Sequence, residues 1–347
     1  MSRAGTLAEF TTLRVGGPAR TLITADTEAE LIAAVRVADE AGDPVLVLGG
    51  GSNVLIGDQG FDGTVVRIAT RGIDADVSAC SGATVRVAAG EDWDGFVARS
   101  VEQEWSGIEA LSGIPGLVGA TPIQNVGAYG SEVSQTIAGV RTWDRVERRQ
   151  ATFSVADCGF GYRWSRFKAE PDRYLVLEVT FQFSLGSLSA PVRYAELART
   201  LGVAVGTRAP AAAVRKAVLQ LRAGKGMVLD AADHDTWSAG SFFTNPILTS
   251  AEATQLPPEA PRYGQPDGRV KTSAAWLIEH AGFGKGFGAR IGTGRATLSG
   301  KHTLAVTNRG SASADDVLTL ARAVRAGVEQ RFGIALVPEP VLVGCRF

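Results

Sequence analysis

Three segments of this 347-residue chain carry side chains that could do acid–base or carboxylate-binding chemistry. Phe160–Lys168 places aromatic and basic residues around Arg163, whose planar guanidinium suits bidentate binding of a carboxylate. Ser238–Pro246 carries Ser241 directly after a glycine, but without the G-x-S-x-G pattern of a hydrolase elbow. Glu339 stands between two prolines, which make an extended and stiff segment. An exposed strand, a turn serine and a surface carboxylate would look the same, so the surrounding elements must decide.

Two glycine-rich loops are the other unusual feature of the sequence. Gly113–Glu132 contains five glycines and two prolines but no lysine or arginine, and Gly49–Leu55 follows an apolar run that predicts a buried strand over 43–48. Free N–H groups in such loops form concave anion sites, so a phosphate would be held by amides and by the hydroxyls of Thr121 and Ser131. Neither loop has the dinucleotide or the P-loop pattern, which argues against a Rossmann dehydrogenase and a P-loop NTPase.

Together, the two loops resemble the flavin-binding signature of the UDP-N-acetylenolpyruvoylglucosamine reductases, the bacterial enzymes that make UDP-N-acetylmuramic acid for peptidoglycan. The resemblance extends over essentially the whole chain. Phe160–Lys168 contains the family's Y-R-x-S-x-F-K motif, Ser238–Pro246 contains G-S-F-F-x-N-P, and Glu339 lies in a proline–glutamate motif. Tyr194 resembles the tyrosine that lies over the substrate in the first of the family's two subtypes.

The resemblance implies a role for each matching position. Ser241 would be the proton donor, and Arg163 and Glu339 would be the other catalytic residues. The expected cofactor-binding residues are Gly49, Gly50, Gly51, Ser52, Asn53, Ile114, Pro115, Gly119, Thr121, Pro122, Gln124, Asn125, Gly127, Ala128 and Arg222. The expected substrate-binding residues are Tyr194, Lys225, Asn245, Tyr263, Lys271 and His302. The chain departs from the family at Val341, where an arginine is often found.

The resemblance also implies the reaction and its ligands. FAD would be bound non-covalently, with NADPH as the electron donor, and the substrate would be the enolpyruvyl ether of UDP-N-acetylglucosamine. Charge developing next to the substrate carboxylate would be stabilised by Arg163 and Glu339, and Ser241 would protonate the carbanion carbon. One pocket used by both substrates in turn predicts ping-pong kinetics.

Composition excludes several other classes of protein. The chain has 35 basic and 36 acidic residues, a balance that gives no electrostatic footprint for nucleic acid or for an anionic membrane. The first ten residues lack the apolar run of a signal peptide, and no run approaches membrane-spanning length. The three cysteines and three histidines show no ligand spacing, so we expect no metal. We therefore expect a cytoplasmic monomer whose partners are small molecules.

Local patterns predict several elements. Thr27–Glu30 is a capping box for a helix ended by Gly42, and Ser313 caps a helix running to Phe332. A further helix is expected after Gly90, with Trp93, Phe96, Val97 and Val101 on its buried face. Others are expected over 210–222, with Pro210 at the first helical position, and over 273–280. Strands are expected at 19–25, 64–68, 84–88, 137–143 and 174–183, and linkers at 184–191 and 223–237.

The sequence thus predicts an α+β protein with the vanillyl-alcohol-oxidase-type FAD-binding fold and a C-terminal α+β substrate domain. Residues 1–70 with the tail 335–347 would form the first FAD-binding lobe, 71–224 the second lobe, and 225–334 the substrate domain. Two alternatives remain open at this point. One is an oxidase of the same flavin fold, although such enzymes often tether FAD to a histidine and none lies near either glycine loop. The other is a non-catalytic protein that binds FAD or a nucleotide sugar.

Overall fold

The structure is a computed structural model that describes residues 5–347. No helix in this range is long and apolar enough to cross a bilayer. The helices are α1 Glu28–Glu40, α2 Trp93–Glu102, α3 Val155–Cys158, α4 Arg166–Ala169, α5 Ala195–Leu201, α6 Ala211–Gly224, α7 Ser250–Thr254, α8 Ala274–His280 and α9 Ala314–Phe332. The strands are β1 Ala19–Ala25, β2 Val45–Leu48, β3 Val54–Ile56, β4 Phe61–Ile68, β5 Ile73–Ser78, β6 Gly82–Ala88, β7 Trp105–Ser106, β8 Gly127–Ala128, β9 Ser131–Glu132, β10 Ile137–Asp144, β11 Arg149–Ser154, β12 Tyr174–Leu185, β13 Ile247–Leu248, β14 Tyr263–Gly264, β15 Val270–Lys271, β16 Ala296–Leu298, β17 Val306–Asn308 and β18 Val341–Val343.

Contacts between Cα atoms divide the chain into two compact units. The loop unit comprises residues 20–50 and 63–224 and contains the long glycine loop. The serine unit comprises residues 5–19, 51–62 and 225–347 and contains Ser241. The boundary after residue 224 falls in the second expected linker, whereas 184–191 lies inside the loop unit. The division into two FAD-binding lobes and a substrate domain stays a prediction.

The loop unit is built on two sheets. The smaller has the order β1-β4-β2 with β2 and β4 parallel, and the larger has the order β11-β10-β12-β6-β5, with β7 also paired to β12. The pairs along the larger sheet are antiparallel. Its core includes Trp93, Phe96, Phe181 and Phe183, whose rings lie 5.0–6.2 Å apart in successive contacts. Burial of these large aromatic groups supplies much of the driving force that holds the sheet to α2.

The helices of the loop unit follow the local signals closely. Both bonds of the predicted capping box at Thr27 are present, and Leu31, Val35 and Ala38 of α1 are buried. Two details of the prediction were wrong. Pro210 precedes α6 instead of occupying its first helical position. Its carbonyl accepts a hydrogen bond from the N–H of Val214, inside the helix, at 3.0 Å. In α2 the fourth buried position is Ser100 rather than Val101. The Ser100 hydroxyl can be buried because it donates a hydrogen bond to the Phe96 carbonyl at 2.9 Å.

The serine unit packs around α9, which begins at the predicted Ser313 cap and ends before Gly333. Its buried face includes Val317, Leu320, Val324 and Val328, which recur at helical spacing. The N-terminal segment belongs to this core, because Leu13 is fully buried in it. Asn308 fixes that segment by donating from its amide to the carbonyls of Leu13 and Arg14 at 3.1 and 3.2 Å.

The long glycine loop crosses the end of β6 at very short range. The N–H of Gly119 donates to the carbonyl of Ala89 at 2.9 Å, and a Cβ placed on Gly119 would lie 2.5 Å from the Ala89 Cβ and 2.9 Å from its Cα. Gly119 has no positive φ, so the requirement for glycine here is steric.

Replacing Gly119 by alanine is expected to lower the free energy of unfolding by about 1–3 kcal/mol, because the new methyl group overlaps fixed backbone atoms. Gly139→Ala on β10 is the matched control, since its Cβ would meet the Phe153 carbonyl at an ordinary 3.5 Å. Urea unfolding of both variants measures the difference. Equal stability of the two would mean that the loop can shift without cost.

Candidate functional site

In the serine unit, a short backbone pairing brings Ser241 and Glu339 together. The N–H of Glu339 donates to the carbonyl of Phe242 at 2.9 Å, and the N–H of Thr244 donates to the carbonyl of Val337 at 3.1 Å. These bonds run between two extended segments that are far apart in the sequence. Glu339 is thereby placed opposite the residue that follows Ser241, and both side chains are partly buried.

The Ser241 hydroxyl is available to a ligand. Among the described residues it makes no hydrogen bond, although the neighbouring Ser238 hydroxyl accepts from the N–H of Gly240 at 3.2 Å. On the other side of this segment, the N–H of Phe242 donates to the carbonyl of Leu304 at 2.7 Å. Leu304 follows the turn that carries His302, so the turn lies beside the serine segment.

Glu339 is held from a second direction by the end of the shorter glycine loop. The Asn53 amide donates to the Glu339 carbonyl at 3.4 Å, and the N–H of Val341 donates to the Asn53 carbonyl at 3.0 Å. From there β18 continues parallel to β3, with Val341 opposite Val54. Val341, where the resemblance led us to note the lack of an arginine, is 57 % exposed and pairs with β3.

Three expected substrate-binding residues cluster around the small sheet β13-β15-β14. Tyr263 and Lys271 are directly opposite each other on β14 and β15, and Tyr263 is exposed. The Asn245 carbonyl oxygen accepts from the N–H of Ala274 at 2.9 Å, at the start of α8. Lys225 begins the long C-terminal part of the unit, directly after α6.

Arg163 lies in the loop unit, so the three expected catalytic residues are divided between the units. Its guanidinium donates from one terminal nitrogen to the Gly127 carbonyl at 2.8 Å, and its φ is +52°. Positive φ is uncommon for a residue with a long side chain and often marks a functional site.

The two glycine loops approach each other within the loop unit. A Cβ on Gly50 would lie 2.8 Å from the Cα of Gly116, and Leu117 packs 3.6 Å from the Cβ position of Gly49. Among the hydrogen bonds of the described residues, none uses the N–H groups of Gly49, Gly50, Ile114, Gly116 or Leu117. Several amide donors that make no hydrogen bond to the described residues fit a diphosphate such as that of FAD.

Apart from Arg222 on α6, the other expected cofactor-binding residues lie along the same two loops, where Thr121 and Asn125 are buried. The Thr121 hydroxyl donates to the Val118 carbonyl at 2.8 Å, and Asn125 is 1 % exposed. Gly127 and Ala128 form β8, which turns into β9 through Tyr129 and Gly130, both at positive φ as a tight hairpin turn requires. Gly51, Ser52 and Asn53 belong to the serine unit, and Pro115, Pro122 and Gln124 to the loop unit.

Asp94 anchors the start of the long loop, a role that the sequence pattern did not predict. Its carboxylate accepts from the N–H of Gly113 at 2.5 Å and from Arg215 in a bidentate pair at 2.6 and 2.9 Å. Burial acts to raise the pKa of Asp94, but the bonds from Arg215 and from the Gly113 N–H outweigh it and hold the pKa below its ordinary value. Asp94 sits in the first turn of α2, where an acidic residue looks like helix capping alone.

Arg222, Tyr129 and Tyr194 form the other polar group of the loop unit. The Tyr129 and Tyr194 rings meet edge to face at 5.5 Å, and burial raises the pKa of Tyr129 to about 12. Burial lowers the pKa of Arg222, while Tyr129 and Asp94 act in the opposite direction. Arg222 on α6 thus lies close enough to Tyr129, at the hairpin turn, for the two side chains to interact electrostatically.

Comparisons with known proteins identify the family and the fold. Residues 19–148 match the family model of an FAD binding domain, and residues 232–343 match the C-terminal domain of UDP-N-acetylenolpyruvoylglucosamine reductase. Reductases of that name from Cutibacterium acnes and Streptomyces coelicolor are 64 % and 58 % identical, over 98 % and 97 % of this chain and 89 % of each relative. The crystal structure of UDP-N-acetylenolpyruvylglucosamine reductase from Thermus caldophilus superposes with a TM-score of 0.67 at 26 % identity, covering 98 % of both chains.

The fold and the glycine loops define an FAD-dependent oxidoreductase, and the expected α+β FAD-binding fold with a C-terminal α+β domain is confirmed. The chain belongs to the UDP-N-acetylenolpyruvoylglucosamine reductase family. FAD is its cofactor. The alternative of a non-catalytic binding protein is therefore wrong. The roles expected of the individual site residues stay predictions.

We expect Asp94→Asn to lower the free energy of unfolding by about 2 kcal/mol at pH 7, because it removes hydrogen bonds to a charged group. Since the pKa of Asp94 is depressed in the folded state, its contribution is complete above the unfolded pKa, near ~3.9, and is lost as pH falls through the folded value. The gap between parent and variant should therefore narrow below about pH 4.

Urea unfolding over a pH series measures this effect. Asp74→Asn is the matched control, because Asp74 pairs with Arg86 on the exposed side of the large sheet and its side chain is 69 % exposed. We expect little change for that variant at any pH. A gap for Asp94→Asn that stays constant down to pH 3 would contradict the assignment of a charged anchor.

Proposed function

We propose that the protein reduces the enolpyruvyl ether of UDP-N-acetylglucosamine to UDP-N-acetylmuramic acid, a step of peptidoglycan synthesis, with NADPH as the electron donor. The observation that carries the proposal is the backbone pairing of Glu339 with Phe242, the residue that follows Ser241, whose hydroxyl makes no hydrogen bond to the described residues. A protein that only bound the nucleotide sugar would need neither group. Membership of the reductase family supports the same reaction.

The substrate is an enol ether conjugated to a carboxylate. FAD, once reduced, supplies a hydride to the terminal vinyl carbon of this group. Negative charge then develops on the neighbouring carbon and spreads into the carboxylate as an enediolate. In the proposal, the planar fork of Arg163 binds that carboxylate in two places, and Glu339, when it holds or shares a proton, donates a hydrogen bond to it.

Ser241 completes the reaction by donating its hydroxyl proton to the carbanion carbon. Serine is a weak acid, but the carbanion is strongly basic, so the transfer is favourable. One hydride and one proton add across the double bond, and the serine alkoxide recovers its proton from solvent. Among residues 5–347 the Ser241 hydroxyl has no hydrogen-bond partner, which supports this role because no bond to those residues must be broken before the proton moves.

The remaining residues would hold the ligands. The amide groups of the two glycine loops and Arg222 would bind FAD, and Asn245, Tyr263, Lys271, Lys225 and His302 would bind the nucleotide part of the substrate. Asn245 uses its carbonyl oxygen on α8 and so presents its amide nitrogen as a donor. Tyr194, 44 % exposed, would cover the bound substrate. We further propose a cytoplasmic monomer in which NADP leaves before the enol ether enters.

The proposal predicts that FAD is bound non-covalently. The chain's three histidines are His234, His280 and His302, and all lie in the serine unit rather than in the unit that holds the long glycine loop. Acid precipitation of the purified protein should release all of its yellow colour into the supernatant. Flavin retained in the pellet would favour a tethered oxidase instead.

A second prediction separates the two halves of the catalytic cycle. Because Ser241 is proposed to act only after hydride transfer, Ser241→Ala should leave bleaching of the flavin by NADPH near its parent rate. Turnover of the enol ether should fall by roughly 10²–10⁴-fold, the usual size of a general-acid contribution. Ser241→Cys keeps an acidic proton and should recover part of the loss.

Stopped-flow absorbance of the flavin, first with NADPH alone and then with the enol ether under anaerobic conditions, measures both halves. An alanine variant that forms product as fast as the parent would exclude Ser241 as the acid. Equal slowing of both halves would indicate a structural role near the flavin.

A further inference from the structure

Arg163 has a backbone conformation that is unfavourable for an arginine. Its φ of +52° lies in the left-handed region, which a residue with a long side chain adopts only when its surroundings impose it. The neighbouring backbone closes a tight turn, in which the N–H of Gly161 donates to the Trp164 carbonyl at 3.0 Å. Something outside this turn must therefore fix its orientation, and with it the direction of the guanidinium.

Three hydrogen bonds join the turn to residues 123–127 of the glycine loop, and we call them the loop latch. The Asn125 amide donates to the Gly161 carbonyl at 3.1 Å, the Ser165 hydroxyl donates to the Ile123 carbonyl, and the Arg163 guanidinium donates to the Gly127 carbonyl. Ser165 is fully buried, so its bond is shielded from water. The latch holds the turn at both ends and at the side chain of Arg163 itself.

Asn125 is the one donor of the latch that lies on the glycine loop, since the other two donors are Arg163 and Ser165. Its amide nitrogen has two N–H donors, and both are used inside the protein, on Gly161 and on the Glu132 carboxylate at 2.9 Å. Its carbonyl oxygen accepts from the N–H of Ser134 at 3.2 Å. The side chain is 1 % exposed, and the backbone φ of +46° is one that asparagine tolerates better than most residues.

We propose that Asn125 is a positioning residue for Arg163, rather than a side-chain ligand of the flavin. This inference rests on the proposed role of Arg163 in binding the substrate carboxylate. With both donors committed, the Asn125 amide cannot donate to a cofactor without giving up its bond to Gly161 or to Glu132. It fixes the turn that aims the guanidinium, and displacement of a reacting group by about 1 Å can cost on the order of 100-fold in rate.

The test compares two substitutions at this position. Asn125→Asp keeps the size of the side chain and tolerates the same φ, but it removes both donors and places a carboxylate beside Glu132. Asn125→Gly removes the side chain while keeping the backbone conformation accessible, so it serves if the aspartate variant folds poorly. For both, we expect FAD to be retained and bleaching by NADPH to be near normal. The kcat for the enol ether should fall by about 10–100-fold with a smaller change in KM.

A double-mutant cycle with Arg163→Lys distinguishes positioning from a general loss of structure. In a chain that already carries Arg163→Lys, Asn125→Asp should lower kcat little further, because both substitutions disturb the same interaction of residue 163 with the substrate carboxylate. Asn308→Asp is the matched control, since Asn308 is also a buried amide that donates to two carbonyls, in the serine unit. Its effect should add to that of Arg163→Lys.

Hydrogen exchange followed by mass spectrometry gives a readout that does not depend on activity. Peptides covering 161–168 should exchange faster in Asn125→Asp than in the parent, while those covering α9 should not change. Unchanged exchange over 161–168, additive effects with Arg163→Lys, or loss of FAD from the Asn125 variants would each overturn the inference. If Arg163→Lys alone turns over the enol ether at the parent rate, both the proposed role of Arg163 and this inference are wrong. A slow Arg163→Lys beside a normal Asn125→Asp would overturn the inference alone.

Discussion

The hydrogen bond from the Glu339 N–H to the Phe242 carbonyl is the interaction on which the serine unit's candidate site depends. Phe242 is bonded on both sides, to Glu339 and to Leu304, so the segment that carries Ser241 lies between the Glu339 segment and the turn that contains Leu304. The Phe242 ring is buried and meets the Phe243 ring at 5.2 Å, which fixes the segment in the core. The backbone that carries Ser241 is therefore fixed on both sides, and a fixed backbone position is part of the preorganisation that the proposed general-acid role requires.

In the loop unit, the shape of the glycine loops is fixed by close approach of backbone segments rather than by strand pairing. Gly119 lies against Ala89, and Gly50 lies against Gly116, at distances that no side chain larger than hydrogen allows. Asp94 holds the beginning of the long loop, and the loop latch holds its later part. A loop without lysine or arginine can therefore present amide groups to an anionic cofactor, because its shape is imposed by neighbours and not by its ligand.

Much of this could be predicted from the sequence wherever the signal was local. The capping boxes at Thr27 and Ser313 fixed the starts of α1 and α9, because each needs only residues within one turn. The pairing of Glu339 with Phe242 could not be foreseen, since backbone hydrogen bonds between distant segments leave no mark on residue type. Asn125 was expected to bind the cofactor because it stands in the glycine loop. That its donors point into the protein instead depends on where Gly161 and Glu132 lie.

Neither unit is a continuous stretch of chain, because the backbone passes from one to the other after residues 19, 50, 62 and 224. A fragment beginning at residue 225 would contain Ser241 and Glu339 but would lack β3, the parallel partner of β18, and would lack Leu13 and Leu55 from its core. The part of the molecule that carries Ser241 and Glu339 is thus assembled from separate segments of the chain. A single recombination crossover would not transfer all of these segments to another flavoprotein.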